Sequence, residues 1–191
     1  MRLASLSLAL LAALAGCRSD DSSVLSGLPG VTISPVRSSM STSATFTDAN
    51  GGQHTQWVIA LTDAPDLCAK VTAHPDYFRN PMESFDAILV WVPPGNIGTF
   101  FVGQNFGGSE VNDEVLVGVG PAGGAMPRVV RFPGVAGLGA NIGLTQFDAA
   151  PGGEAQGNFD VLVADLNGIP RELIGKFKAT YCAGAEQVQL P

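Results

Sequence analysis

The sequence predicts an all-β domain: an antiparallel β-sandwich of about eight or nine strands with one short helix. Three observations lead there. Charged residues make up only 14% of the 191 residues, so the solvent faces of long helices, which need Lys and Glu, cannot be furnished. Gly numbers 24 and Pro 13, a supply suited to many turns. Short apolar or alternating runs recur between those turn residues, as strands do in a sandwich. A closed barrel satisfies the same pattern.

Taken in order, Val31 to Val36 is the first strand-like run, and Pro35, which has no amide proton, confines it to an edge. Ala44 to Thr47 and Gln56 to Leu61 flank Asn50-Gly51-Gly52, a turn that makes them a hairpin. Asp63 is placed to cap the one helix, with Asp66 three residues later as its capping partner and Pro65 tolerated in the first turn. That helix runs to about Ala73, ahead of Pro75, and carries Cys68. Ala87 to Val92 is apolar throughout, which implies burial on both faces and a place inside the sheet. Pro94 and Gly95 suit the centre of a type II turn that would pair this strand with Ile97 to Val102. Val115 to Val119, Arg128 to Phe132 and Asn141 to Phe147 follow. The clearest signal comes last. Leu173, Phe177, Ala179 and Tyr181 share one face with Gly175, while Lys176, Lys178 and Thr180 take the other after Ile174. Phe159, Val161 and Val163 alternate in the same way, and Asp165-Leu166-Asn167-Gly168 turns one strand into the next.

The N-terminus is of a different kind. Arg2 precedes an apolar run from Leu3 to Leu14, broken only by Ser5 and Ser7 and followed by Ala15-Gly16-Cys17. A charged start, a short apolar core and small residues form the layout of a signal peptide, here residues 1–16. The run falls below the roughly 18 to 20 residues a helix needs to cross a bilayer, and nothing similar lies downstream. Leu14-Ala15-Gly16-Cys17 also resembles the lipobox of bacterial lipoproteins; an ordinary signal peptide with a chance cysteine is the alternative. The resemblance implies cleavage before Cys17, a diacylglycerol on its sulfur, an acyl chain on its new amino group, and a membrane partner reached through that anchor. Arg18, where an Asp would signal retention at the inner membrane in enteric members of the class, points to the outer membrane.

Removing residues 1–16 leaves 191 − 16 = 175 residues with 9 basic and 17 acidic side chains, a net charge of 9 − 17 = −8. Such a balance argues against nucleic acid and anionic membrane surfaces as partners, both of which need a basic face. Residues 17–30, RSDDSSVLSGLPG after the cysteine, are poor in apolar surface and are expected to form a flexible tether reaching roughly 45 Å. Residues 31–191 then form a single β-sandwich domain.

With Cys17 lipidated, Cys68 and Cys182 remain, an even pair in a chain bound for an oxidising compartment, and a disulfide is expected. The alternative, a catalytic or metal-binding thiol pair, needs a base or further ligands; His74 lies six residues from Cys68, but the chain has no CxxC. The segments Gly157 to Val161 and Gly175 to Cys182, with Leu61-Thr62-Asp63 and Cys68, resemble small uncharacterised exported bacterial lipoproteins. That resemblance implies the fold and the disulfide and brings no activity.

The chemical candidates are sparse. Gly118 to Gly123 matches GxGxxG after a strand, yet no helix follows and Pro121 interrupts it, so a surface turn is expected there rather than a dinucleotide site. Ser109 lacks the following glycine of a nucleophile elbow, and no HExxH is present. His54 and His74 are expected at a turn and a helix end. Glu110, Asn112, Asp113 and Glu114 could offer oxygens to calcium but lack the spacing of an EF-hand loop. Trp57 and Trp91 sit in apolar runs and read as core; the glycine-rich loops Gly103 to Gly108 and Gly134 to Gly143 are the expected binding region. No cofactor is indicated. The expected function is a lipid-anchored binding or structural accessory module of the cell envelope. The alternatives are an envelope hydrolase with a non-local active site and a calcium-dependent adhesion module.

Overall fold

A computed structural model describes residues 22–47, 51–106, 109–121, 123, 126–137 and 139–190. Cys17 and the apolar N-terminal run lie outside the described residues. The strands are β1 (Ser23–Ser26), β2 (Ser38–Thr47), β3 (Gln53–Thr62), β4 (Phe85–Val92), β5 (Gly98–Phe101), β6 (Asn105–Phe106), β7 (Ser109–Glu110), β8 (Asn112–Val119), β9 (Arg128–Pro133), β10 (Asn141–Phe147), β11 (Glu154–Ala164) and β12 (Pro170–Tyr181). One helix, α1 (Leu67–Ala73), joins β3 to β4. The fold is all-β and sandwich-like. Ten strands make one sheet in the order β5-β10-β11-β12-β2-β3-β4-β8-β9, with β1 paired to β12 off that path; β6 and β7 form a small separate ribbon.

The sheet bends over itself without closing. Strands β5, β10, β11 and β12 form one layer and β2, β3, β4, β8 and β9 the other, and apolar residues from both fill the space between: Ile59, Ile88, Val90 and Val115 from the second layer against Ile142, Phe159, Val161 and Phe177 from the first. The layers join where Thr180 and Tyr181 of β12 run parallel to Met40 and Ser41 of β2, the one parallel pairing in the sheet, and again at a bridge between Gly134 and Val163. A second cluster lies on the outer face of the β2-β3-β4-β8 layer. There Met40, Val58, Phe85 and Leu89 pack against Leu67 and Val71 of α1, against Tyr77 and Phe78, and against Ala185, Val188 and Leu190 of the C-terminal segment. This layer is therefore covered on both sides. That is why Ala87 to Val92 is apolar without alternation: Ile88, Val90 and Val92 face the inter-layer core, and Ala87 and Leu89 face the outer cluster.

The C-terminal hairpin forms as its alternation requires, with Val161 opposite Leu173 and Phe159 opposite Gly175. The Phe159 and Phe177 rings on its inner face each lie over a cross-strand glycine. A Cβ at Gly175 would meet Phe159 Cζ at 2.3 Å, and one at Gly157 would meet Phe177 Cζ at 2.5 Å. The glycines make room for the rings. β2 and β3 also pair as a hairpin, in register from Ser38 with Thr62 to Thr47 with Gln53.

Four expectations are corrected. Val31 to Val36 is not a strand: the Val31 amide bonds to Leu28 and the Thr32 amide to the Asp86 side chain, while Val31 and Ile33 still bury their side chains. The edge is taken instead by β1, inside the stretch 17–30 expected to be a tether; Val24 and Leu28 supply buried apolar surface, and pairing with β12 satisfies the backbone. The turn at Gly95 forms, with φ 85°, but its flanking strands do not pair. β4 is occupied on both edges by β3 and β8, so β5 crosses to β10. Lastly, α1 begins at Leu67, after Asp66, and Asp63 does not cap it. The Ser38 hydroxyl of β2 accepts the first helical amide, from Leu67, at 2.9 Å.

Candidate functional site

Beside the end of β3 and the start of β4 lies a polar groove of about 440 Å³ lined by Thr32, Ser34, Arg37, Asp63, Glu83 and Asp86. Backbone needs explain its acidity. Asp63 and Asp86 grip one another's strands: the Asp63 carboxylate accepts the Asp86 amide at 2.8 Å, and the Asp63 amide donates to the Asp86 carbonyl at 3.2 Å. Asp86 Oδ2 then accepts the Thr32 amide at 2.7 Å, fixing the segment that leads from β1 towards β2. Burial pushes the Asp86 carboxyl above its ordinary range, the Thr32 bond opposes this, and the nearby Asp63 charge adds to it. Burial also works against the charge of Glu83, but hydrogen bonds from Lys70 and Tyr77, with the Lys70 charge, hold that carboxyl below its ordinary range. The Tyr77 phenol is pushed up by burial and by the same Glu83. The groove offers oxygen acceptors and negative charge, with Arg37 its one described lining cation. Its carboxylates hold backbone and lysine in place, and no histidine or cysteine is among its described lining residues.

A second groove, of about 520 Å³, runs beside the C-terminal segment and is lined by Thr45, Arg79, Glu186 and Gln189. Arg79 Nε donates to the Leu190 carbonyl at 2.7 Å and ties that segment down.

The structure places the expected residues as follows. Cys68 of α1 and Cys182, which follows β12, form a disulfide with Cα atoms 5.5 Å apart. His54 lies on β3 opposite Phe46 of β2, and His74 is exposed at the C-terminal end of α1; neither lines the two grooves. The acidic stretch does not converge. Glu110 is exposed on β7 and its carbonyl accepts from Gln56; Asp113 pairs in register with Val90 and turns to the inter-layer core; Glu114 points to the opposite face and binds Arg131 through two hydrogen bonds. Among the described residues no group of three or more His, Cys, Asp or Glu could hold a metal ion. Gly118 and Gly120 are buried rather than part of a surface turn, because the Phe85 ring and the Glu83 backbone lie against them. Trp57 packs on the inter-layer core, stacked on Phe147 with centroids 4.0 Å apart, and Trp91 on the outer cluster. Sequence reading missed the Asp63 and Asp86 clasp, whose partners are 23 residues apart. It also missed the burial of Asp113, which stands two residues from Val111 and two from Val115, an alternation that marks it as inward-facing.

These features define a class: an all-β sandwich-like domain whose second layer carries a helix and a C-terminal cover, locked together by a disulfide. The chain matches no protein-family model, no curated protein and no solved structure.

Proposed function

We propose that the protein is a lipid-anchored module of the cell envelope, held at the outer membrane through Cys17, that binds or braces envelope components without catalysing a reaction. The observation that carries this reading is Leu14-Ala15-Gly16-Cys17 directly after a short apolar core that begins behind Arg2. The Cys68–Cys182 disulfide supports it, since such bonds persist in exported proteins and are rare where thiols are kept reduced. The site chemistry is in keeping with a binding role: the acidic groove presents acceptors whose positions are set by backbone hydrogen bonds, and the histidines stand apart from it. Growth with a labelled fatty acid should mark the wild-type protein and leave Cys17→Ala unmarked and unprocessed. An unlabelled wild type, recovered with Cys17 as a free thiol, would overturn the proposal.

A further inference from the structure

We infer that the β1–β12 corner of the domain lies against the leaflet that holds its anchor, with Leu25 and Ile174 in contact with lipid; the inference rests on lipidation of Cys17. Antiparallel pairing sets Leu25 directly opposite Ile174, and residues so opposed share a face. Their neighbours Val24 and Gly175 face inward, Val24 into the core. Leu25 and Ile174 are consequently left in solvent, 73% and 41% exposed. Scattered exposed apolar residues are ordinary, but these are grouped: of eight large apolar side chains exposed among the described residues, Leu25, Leu166, Ile169 and Ile174 all fall on β1, β12 or the turn before β12.

The length of chain before the domain selects the occupant. Ser22 is the first described residue, and its hydroxyl is fixed on both sides, accepting the Lys178 amide at 2.9 Å and donating to the Lys178 carbonyl at 3.3 Å. From Cys17 to Ser22 is 22 − 17 = 5 residues, a reach of at most about 18 Å rather than the 45 Å a longer tether would have. Leu25 follows three residues later, about 10 Å further along an extended strand. A lipidated sulfur at the leaflet surface therefore keeps Ser22 within about 18 Å and Leu25 within about 28 Å of the headgroups, where apolar side chains partition to the boundary with the acyl chains. Glu172 and Lys176 flank Ile174 on the same face, and Asp160 stands opposite it; these charges stop the corner at the interface. The contact is apolar and should persist in high salt.

The test uses the full-length lipidated protein reconstituted in uncharged vesicles of phosphatidylethanolamine and phosphatidylcholine, with Leu25→Cys, Ile174→Cys or Met126→Cys carrying an environment-sensitive fluorophore. Met126 serves as the control because it is 89% exposed and lies ahead of β9. Labels at positions 25 and 174 should shift to the blue and lose emission when the lipids carry a nitroxide near the headgroup, and the label at position 126 should do neither. Protein that carries its acyl chains and floats with the vesicles, yet leaves positions 25 and 174 unquenched, overturns the docking and leaves the anchor standing. Protein shown by mass spectrometry to lack acyl chains overturns both. Shielding that depends on protein concentration and needs no lipid would assign the patch to a second copy and overturn the leaflet contact.

Discussion

Asp113 lies in the inter-layer core opposite Val90, and among the described residues neither of its carboxyl oxygens has a hydrogen-bond partner. A charge there is costly, so burial, with a smaller contribution from Glu114, pushes its pKa up to about 7. Gly134 is the complement of that carboxyl, since a Cβ at position 134 would sit 2.4 Å from Asp113 Oδ1. The folded state holds this proton more tightly than the unfolded chain, whose value is 3.8. The contribution of Asp113 to stability is therefore full below about pH 4, falls as pH rises towards 7, and levels off above that. At roughly 1.4 kcal/mol per unit, the loss between pH 5 and 7 is about 2 to 3 kcal/mol. Asp113→Asn should flatten that slope in denaturant unfolding across pH 5 to 8. An unchanged slope would show that the carboxyl is not the titrating group.

Among the elements, the β11–β12 hairpin carries much of the first layer, because Phe177 and Phe159 each fill the space left by a cross-strand glycine. Phe177→Ala should cost about 3 to 5 kcal/mol, whereas Lys176→Ala on the outer face should stay within about half a kcal/mol. Equal and small losses in denaturant unfolding would contradict the alternation. Helix α1 is held differently. Its seven residues are too few to be stable alone, and it starts from Asp66 with φ 56°, a backbone region that costs residues other than glycine. Asp66→Gly relieves that conformation and should raise stability by up to about 1 kcal/mol, read as a shift of the unfolding midpoint at constant slope.

For the whole molecule, the Cys68–Cys182 bond fastens α1 and the C-terminal segment to each other and to the outer cluster, across 113 intervening residues (182 − 68 − 1). In chain-entropy terms a loop of that length contributes about 4 to 5 kcal/mol, less any strain. Replacing both cysteines with Ser should lower stability by up to that amount while the β-rich circular dichroism persists, since the inter-layer core contains neither cysteine. Hydrogen exchange should rise first in α1 and residues 183–190, which the bond holds, and last in β11. Uniform loosening would show that the two clusters unfold as one.

The sequence by itself determined the all-β class, the final hairpin, the place of β4 inside the sheet and the pairing of the two downstream cysteines. These follow from local period, turn residues and residue count, which act over a few positions or need no geometry. Tertiary structure alone decided which strands are neighbours beyond the β2–β3 and β11–β12 hairpins. The Gly95 turn formed, but β3 and β8 already held the edges of β4, and β5 went elsewhere. Val24 and Leu28 turned an expected tether into an edge strand because β12 offered a free backbone and a core to bury against. The helix start moved to Leu67 because the Ser38 hydroxyl, 29 residues away, met its first amide while Asp63 was engaged by Asp86. Each outcome turned on a partner distant in sequence, and competition for such partners is settled by the assembled fold rather than by any local stretch of the chain.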